Sequence, residues 1–225
     1  MKINIFKYSI YVLSILIILI TLFSTVGIET DKLNKQIKNR IIEINKNLDL
    51  ELKKIKLTLD PFNFKINAKT IGAKIFYSTR PLELEFIKTE IPLSSLINRN
   101  IIFSNLKIST RSILLNDLIG FVRSINNSPQ LFLIQKFIKK GQIILDLDIY
   151  FDEFGNIKDN YKFSGSLING QIRQIKSNSF ENIFFNFNIK KDSYLLQDLK
   201  FRTNKINFTS KALDIKKKDR YFYID

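Results

Sequence analysis

The chain has 225 residues, of which 45% are hydrophobic and 25% are charged, enough for one domain of ordinary size plus a membrane segment. It contains neither Cys nor His, so the composition argues against disulfides, thiolate or histidine catalysis and the common metal sites, and we expect no enzyme activity, no cofactor and no metal. The net charge of +15 is explained either by attraction to an anionic lipid surface or by lysines that simply solvate the polar faces of strands. The chain has no helix-turn-helix, zinc-finger or ribonucleoprotein motif, so no nucleic-acid partner is expected.

The first feature along the chain is an uncharged run of 21 residues, Tyr8 to Ile28. A bilayer core of about 30 Å needs about 20 helical residues, so the run predicts one crossing and an anchor over residues 1–29. A cleavable signal peptide is the alternative, but its apolar stretch is usually shorter, about 7–15 residues. The side chains that we expect to contact lipid, with tyrosines at the interface, are Tyr8, Tyr11, Leu16, Leu19 and Phe23.

The charges that flank this run bear on its orientation. Lys2 and Lys7 precede it and favour a cytoplasmic N-terminus. Lys32 and Lys35 follow it closely, but they can belong to a translocated domain. We therefore expect a single-pass protein whose bulk lies outside the cytoplasm.

An amphipathic helix is predicted next, over residues 30–47. Leu33, Ile37, Ile41 and Ile44 recur at spacings of four, four and three, which places them on one face of a helix. This face can pack on the sheet that follows. The alternative is that the helix lies on the membrane surface, since it begins beside the bilayer and is rich in Lys.

From Leu48 the hydrophobic period changes from that of a helix to two, which predicts strands. The alternation slips by one residue at Lys53–Lys54, and such a slip is typical of a β-bulge. Further alternating segments, separated by turn residues, extend to Ser109.

Helical spacing returns over residues 112–140, where two short helices are predicted as an insertion. Gly141 follows the second helix in the position of a helix C-cap. The clearest alternation in the chain then begins at Ile143. Asn169–Gly170 lies between two apolar segments and predicts a hairpin turn.

The predicted fold is thus mainly β with α: a transmembrane helix, an amphipathic helix, and a curved, groove-like antiparallel sheet with two short helices inserted. No linker rich in Pro, Gly or Ser divides residues 30–225, so we expect one β-rich domain there.

Each predicted strand has one apolar and one polar face, so something must cover the apolar face. A second sheet or the helices would give a closed core. Alternatively, the sheet curls into a groove whose inner face holds acyl chains, which need dispersion and desolvation rather than directed polar contacts. The candidate lining residues are Leu145, Leu147, Ile149, Phe163, Phe185, Phe187 and Ile189.

The order of these features resembles the N-terminal part of the AsmA-like family, within the group that includes TamB-like and YhdP-like envelope proteins. The anchor is followed by LDLELKKIKLTLDPFNFKINAKTIGAKI, which resembles the family's first strands. IKTEIPLSSLINRNIIFSNLKIS resembles its strand, "PL-x-x-L" turn and next strand, and YKFSGSLINGQIRQI with NIFFNFNI resembles a later strand pair. The likeness covers most of the chain, although family members are usually much longer.

The resemblance implies a protein of the bacterial inner membrane whose bulk is periplasmic. It implies a β-groove that binds or conducts phospholipid between the inner and outer membranes, with membrane lipids and possible envelope proteins as partners. It implies no catalytic residue. Two alternatives stay open: a membrane-tethered scaffold or adaptor, and a bitopic β-jellyroll protein of the kind that exports lipopolysaccharide.

Overall fold

The computed structural model describes residues 2–32, 34–44, 46–77, 80–97, 103–125, 128–152, 154, 156, 158–175, 178–218 and 221–224. The described chain is mainly antiparallel β-sheet, preceded by a long apolar helix. The helices are α1 (Lys2–Thr25), α2 (Asn34–Ile44), α3 (Leu93–Ile97), α4 (Leu115–Ile125) and α5 (Pro129–Phe137).

The strands of the first half are short. They are β1 (Ile28–Thr30), β2 (Leu48–Glu51), β3 (Ile55–Asp60), β4 (Lys65–Ile71), β5 (Lys74–Tyr77), β6 (Arg80–Pro92), β7 (Asn105–Thr110) and β8 (Ile113–Leu114). Those of the second half are mostly longer: β9 (Ile138–Tyr150), β10 (Lys162–Ile175), β11 (Asn178–Lys190), β12 (Ser193–Thr203), β13 (Ile206–Lys218) and β14 (Tyr221–Ile224).

The strands form one antiparallel sheet in the order β1-β3-β4-β6-β7-β9-β10-β11-β12-β13-β14. Off this path, β2 pairs with β5, β5 also pairs with β6, and β8 pairs with β9. Within the described strands the sheet does not close on itself, since β1 and β14 lie at opposite edges. The predicted fold class, an open and curved antiparallel sheet with an N-terminal apolar helix, is confirmed.

Helix α1 contains a segment, Lys7–Thr25, with a mean hydropathy of 2.1, long and apolar enough to cross a membrane. None of that segment is buried within the protein. The chain leaves the helical conformation two residues before Ile28, so Ile28 and Glu29, which were predicted within the anchor, belong to β1.

The predicted β-bulge at Lys53–Lys54 is wrong. Glu51 pairs with Lys74 and Ile55 pairs with Thr70, so three residues lie between the two pairs on each side and neither side carries an extra residue. The pairing is interrupted on both strands instead, and Leu50 before the gap and Ile55 after it are both buried. Ile37 and Leu52 pack against the clusters of both residues, so the slip in the sequence marks a break after which the apolar side chains still face the same helix.

The amphipathic helix is shorter than predicted, Asn34–Ile44 rather than residues 30–47. Thr30 is in β1, where it pairs with Ile55, because the chain extends the sheet before it turns into the helix. Ile37 packs into two clusters of buried side chains, as expected for a helix that covers a sheet. Leu33 lies outside the described residues.

The helical insertion is also shorter than residues 112–140. Ile113–Leu114 form a strand that pairs with β9, and α5 ends at Phe137. Gly141 is not a helix cap: it is buried within β9, where a Cβ atom would lie 3.3 Å from the Cα of Gly170. Close packing of two backbones explains this glycine.

The hairpin predicted at Asn169–Gly170 is wrong as well. Strand β10 runs through both residues, and its register against β9 and β11 shifts at this point. Asn169 has a φ of 52°, in the left-handed region that Asn tolerates. The pair therefore produces an irregularity inside a long strand, which bends the strand without reversing it.

Candidate functional site

A row of apolar side chains crosses the sheet from strand to strand. Each member is directly paired with the next in the antiparallel register, so all of them lie on one face. We call this set the apolar row; from β6 to β14 it consists of Ile87, Ile108, Leu147, Phe163, Ile189, Tyr194, Ile215 and Ile224. Eight neighbouring strands thus share one continuous apolar face.

The seven candidate lining residues all lie on this face, in β9, β10 and β11. Phe163 pairs with Leu147 on one side and with Ile189 on the other. Leu145 and Phe187 are among the most buried side chains, at 6% and 8% exposure. The register therefore brings the group together, whereas Ile149 lies nearer the end of β9 and pairs only with Leu106 of β7 among the described pairs.

A concave pocket of about 400 Å³ opens on this face, within the range of small-molecule and lipid sites. Four of the seven candidates line it: Phe163, Phe185, Phe187 and Ile189. Leu145, Leu147 and Ile149 do not. The lining is otherwise aliphatic, apart from Lys140, Gly170 and Gln171.

The aromatic rings of the pocket pack on one another rather than filling the space. The ring centroids of Phe163 and Phe187 are 5.5 Å apart, and those of Phe185 and Phe187 are 6.2 Å apart. Between Phe187 and Leu145, strand β10 places Gly165, which has no side chain to project into the pocket. A Cβ atom at Gly165 would lie 2.8 Å from the Phe187 ring, so the glycine leaves room for that ring.

Helix α4 covers only one part of this face. Leu115 and Leu118 of α4 pack on the buried cluster formed by Ile143, Leu145, Leu167 and Phe187. Exposure rises from Phe187, at 8%, to Ile224 in β14, at 65%. The apolar face is therefore sheltered at β9 and open towards β14.

The opposite face of the sheet is polar. Four lysines stand in direct register on it, and we call them the lysine row: Lys56, Lys69, Lys88 and Lys107. Asp148 pairs with Lys107 at the end of this row, with 3.6 Å between the Lys107 Nζ and a carboxylate oxygen. Directly opposed like charges repel unless water screens them, so this is the solvated face.

The candidate anchor side chains lie along α1, and all five are exposed. Their exposures are 72% for Tyr8, 67% for Tyr11, 51% for Leu16, 45% for Leu19 and 41% for Phe23.

The junction between α1 and the sheet is tight. Gly27 has a φ of 72°, and a Cβ atom there would lie 2.3 Å from the carbonyl oxygen of Leu57. Only glycine fits this bend between helix and strand without a backbone shift.

Sequence reasoning missed several residues of the pocket. Leu167 and Ile172 were assigned to the flanks of a hairpin, whereas both lie in the continuous strand β10 and line the pocket. Ile183 and Leu196 also line it. Their alternation with polar neighbours was the available signal, but it is interrupted by the irregularities in β10 and β11.

Chemically, this arrangement can bury a long apolar ligand and has no reactive group at its centre. Among the described residues, no group of three or more acidic side chains could hold a metal ion. No family model, curated protein or solved structure matches the chain.

Proposed function

We propose that this protein is a membrane-anchored β-groove that binds acyl chains of phospholipid and passes them along the cell envelope, without catalysing a reaction. This is the function that the resemblance to the AsmA-like family implies. In this proposal α1 spans the bacterial inner membrane with its N-terminus in the cytoplasm, and the sheet lies in the periplasm.

The observation that carries the proposal is the apolar pocket on an open sheet face. Apart from Lys140 and Gln171 its lining is apolar, so it offers chiefly dispersion contacts; this suits a hydrocarbon chain and gives a polar metabolite few hydrogen-bond partners. The strands are also long enough to accommodate an acyl chain. A strand of 13 residues such as β9 extends roughly 40 Å, whereas one leaflet of a bilayer core is about 15 Å thick.

The position of α1 also supports the proposal. Strand β1 follows α1 after two residues and pairs with β3, so the sheet begins directly beside the predicted membrane span. A groove in that position has its lipid source next to it. A cytosolic carrier would have no use for such a tether.

A second candidate, a membrane-tethered adaptor, is favoured by one feature. β14 is an edge strand among the described strands, and its four residues are exposed. An extended segment of another protein could add to such an edge.

Photocrosslinking in membranes tests the proposal with a matched pair of residues. Phe185 lines the pocket, whereas its neighbour Phe184 lies on the other face, where Lys200 stands 6.0 Å from its ring centroid. Both side chains are half-buried phenylalanines. We expect a benzoylphenylalanine at position 185 to crosslink phospholipid and one at position 184 not to.

The other outcomes are equally clear. Crosslinking of lipid from both positions to the same extent would contradict a groove on one face. Crosslinking of a protein, rather than lipid, from Phe222 in β14, together with no lipid product from Phe185, would favour the adaptor.

A further inference from the structure

One end of the sheet is defined by α1, and we call it the anchor end. Strand β1 pairs with β3 in antiparallel sense, Ile28 opposite Leu57, so the residues before Ile28 lie beside the residues after Leu57. The contact of Gly27 with Leu57 and Thr58 agrees with this direction. The turn between β3 and β4, at residues 61–64, therefore lies at the anchor end.

This turn stands close to the level at which α1 ends. Asp60 comes three positions after Leu57 in β3, which is about 10 Å of strand. On the other side, only Val26 and Gly27 separate α1 from Ile28, and both of their N–H groups donate to the carbonyl oxygen of Leu22 in a compact helix end. The turn is thus about level with the last turn of α1.

The turn presents two phenylalanines to the outside. Phe62 is 92% exposed and Phe64 is 71% exposed. The turn is held in shape by Asp60, whose carboxylate accepts hydrogen bonds from the backbone N–H and the side-chain amide of Asn63 at 3.1 and 2.9 Å. The side-chain bond from Asn63, followed by the backbone bond, holds the pKa of Asp60 below its usual value. The two rings are therefore presented by a structured turn.

A second turn at the same end has the same construction. Tyr150 pairs with Asn105, which pairs with Glu90, which in turn pairs with Asn67 of β4, so the end of β9 is level with the end of β3. Beyond it, Phe154 is 79% exposed. The carboxylate of Asp152 accepts hydrogen bonds from the N–H groups of Phe154 and Asn156, at 2.9 and 2.8 Å.

Single exposed apolar residues are common on protein surfaces and need no explanation. Here, however, three of the most exposed phenylalanines of the described chain share one end, and that end adjoins the helix proposed to cross the membrane. By contrast, the turn between β12 and β13, at the far end, consists of Asn204 and Lys205. The anchor end also carries the Lys191–Asp192 turn, and Ile206 is 59% exposed at the far end, so the three exposed phenylalanine rings are what distinguishes the anchor end.

We propose that Phe62, Phe64 and Phe154 insert into the interface of the bilayer leaflet from which α1 emerges, so that the sheet stands with its anchor end on the membrane. Aromatic and large apolar side chains are favoured at this depth, where they leave water without having to cross the hydrocarbon core. The inference rests on the proposed function, and it adds the orientation of the groove relative to the membrane. The anchor end of the groove, where Leu106 and Ile149 pair, faces the lipid acyl region.

The chain offers a clean probe, since it contains no Trp. The full chain is reconstituted in liposomes that contain phosphatidylcholine with brominated acyl chains, and single-Trp variants are compared. Phe62→Trp and Phe154→Trp report on the two turns. Phe23→Trp reports on α1, and Phe208→Trp, 44% exposed in β13 towards the far end, is the matched exposed control.

We expect the fluorescence of Phe62→Trp and Phe154→Trp to shift to the blue and to be quenched nearly as strongly as that of Phe23→Trp, while Phe208→Trp stays unquenched. Quenching of Phe23→Trp alone would overturn the insertion of the turns and leave the anchor and the groove intact. If Phe23→Trp is not quenched either, the anchor fails and the proposed function falls with this inference.

Discussion

Gly165 is the residue at which strand β9 and the pocket-lining ring of Phe187 leave no room for a side chain. A Cβ atom at this position would lie 2.1 Å from the carbonyl oxygen of Ile144 and 2.8 Å from the ring of Phe187. The backbone oxygen cannot move away as a flexible side chain could. The glycine thus lets β9 and β10 approach while Phe187 lies across the gap.

We expect Gly165→Ala to destabilise the fold by about 1–3 kcal/mol, because overpacking forces the strand and the ring apart. The control is Ser164→Ala, on the opposite face, which already has a Cβ and should change the free energy of unfolding by less than about 0.5 kcal/mol. Urea unfolding in detergent, followed by circular dichroism, measures both. Equal unfolding midpoints for the two variants would show that the strands can relax around an added methyl group.

At the scale of elements, β10 shows how a local signal is overruled by its neighbours. Asn-Gly between apolar segments favours a two-residue hairpin. In the structure β9 and β11 are both long strands, and their pairing with β10 continues past Asn169–Gly170 with shifted register. Hydrogen bonding on both sides of the strand outweighs the turn preference of two residues.

The irregularity itself gives a prediction for Asn169, whose φ is 52°. A β-branched residue is strained in this conformation, whereas Gly adopts it freely. We expect Asn169→Val to lower stability by roughly 1–2 kcal/mol and Asn169→Gly to leave it nearly unchanged. Thermal unfolding of the two variants compares them; a less stable Asn169→Gly variant would mean that the Asn side chain itself matters.

Much of the fold could be predicted from local pattern, and the failures have a common physical cause. The alternation from Ile143 onward placed Leu145, Phe163 and Phe187 on one face, because strand side chains alternate whatever their partners are. The alternation of side chains could not predict which strands pair or in which register. The break at Lys53–Lys54 and the burial of Gly141 against Gly170 depend on contacts with strands distant in sequence.

The candidate site was predictable to the same extent. The seven lining residues share one face in the structure, as their alternation indicated, but the pocket is centred further along β10, on Leu167 and Ile172. Its position depends on where α4 packs, since Leu115 closes one side. That packing is not encoded in the period of any single strand.

For the whole molecule, the two faces of the sheet differ in polarity. The lysine row lies on the solvated face and contributes to the net charge of +15. The apolar row lies on the other face, sheltered by α4 near β9 and exposed at β14. Large exposed apolar faces mark interaction sites, and our proposal is that an apolar ligand covers this one.

The central claim, that acyl chains occupy the apolar face, is tested most directly by counting phospholipid that co-purifies with the protein. The comparison is Phe185→Asp, which places a carboxylate in the pocket, against Phe184→Asp, which places one on the polar face beside Lys200. With both variants shown to be folded by circular dichroism, we predict that Phe185→Asp loses most of the bound phospholipid while Phe184→Asp keeps the wild-type amount. Equal phospholipid in the two folded variants, measured by native mass spectrometry, would contradict the account.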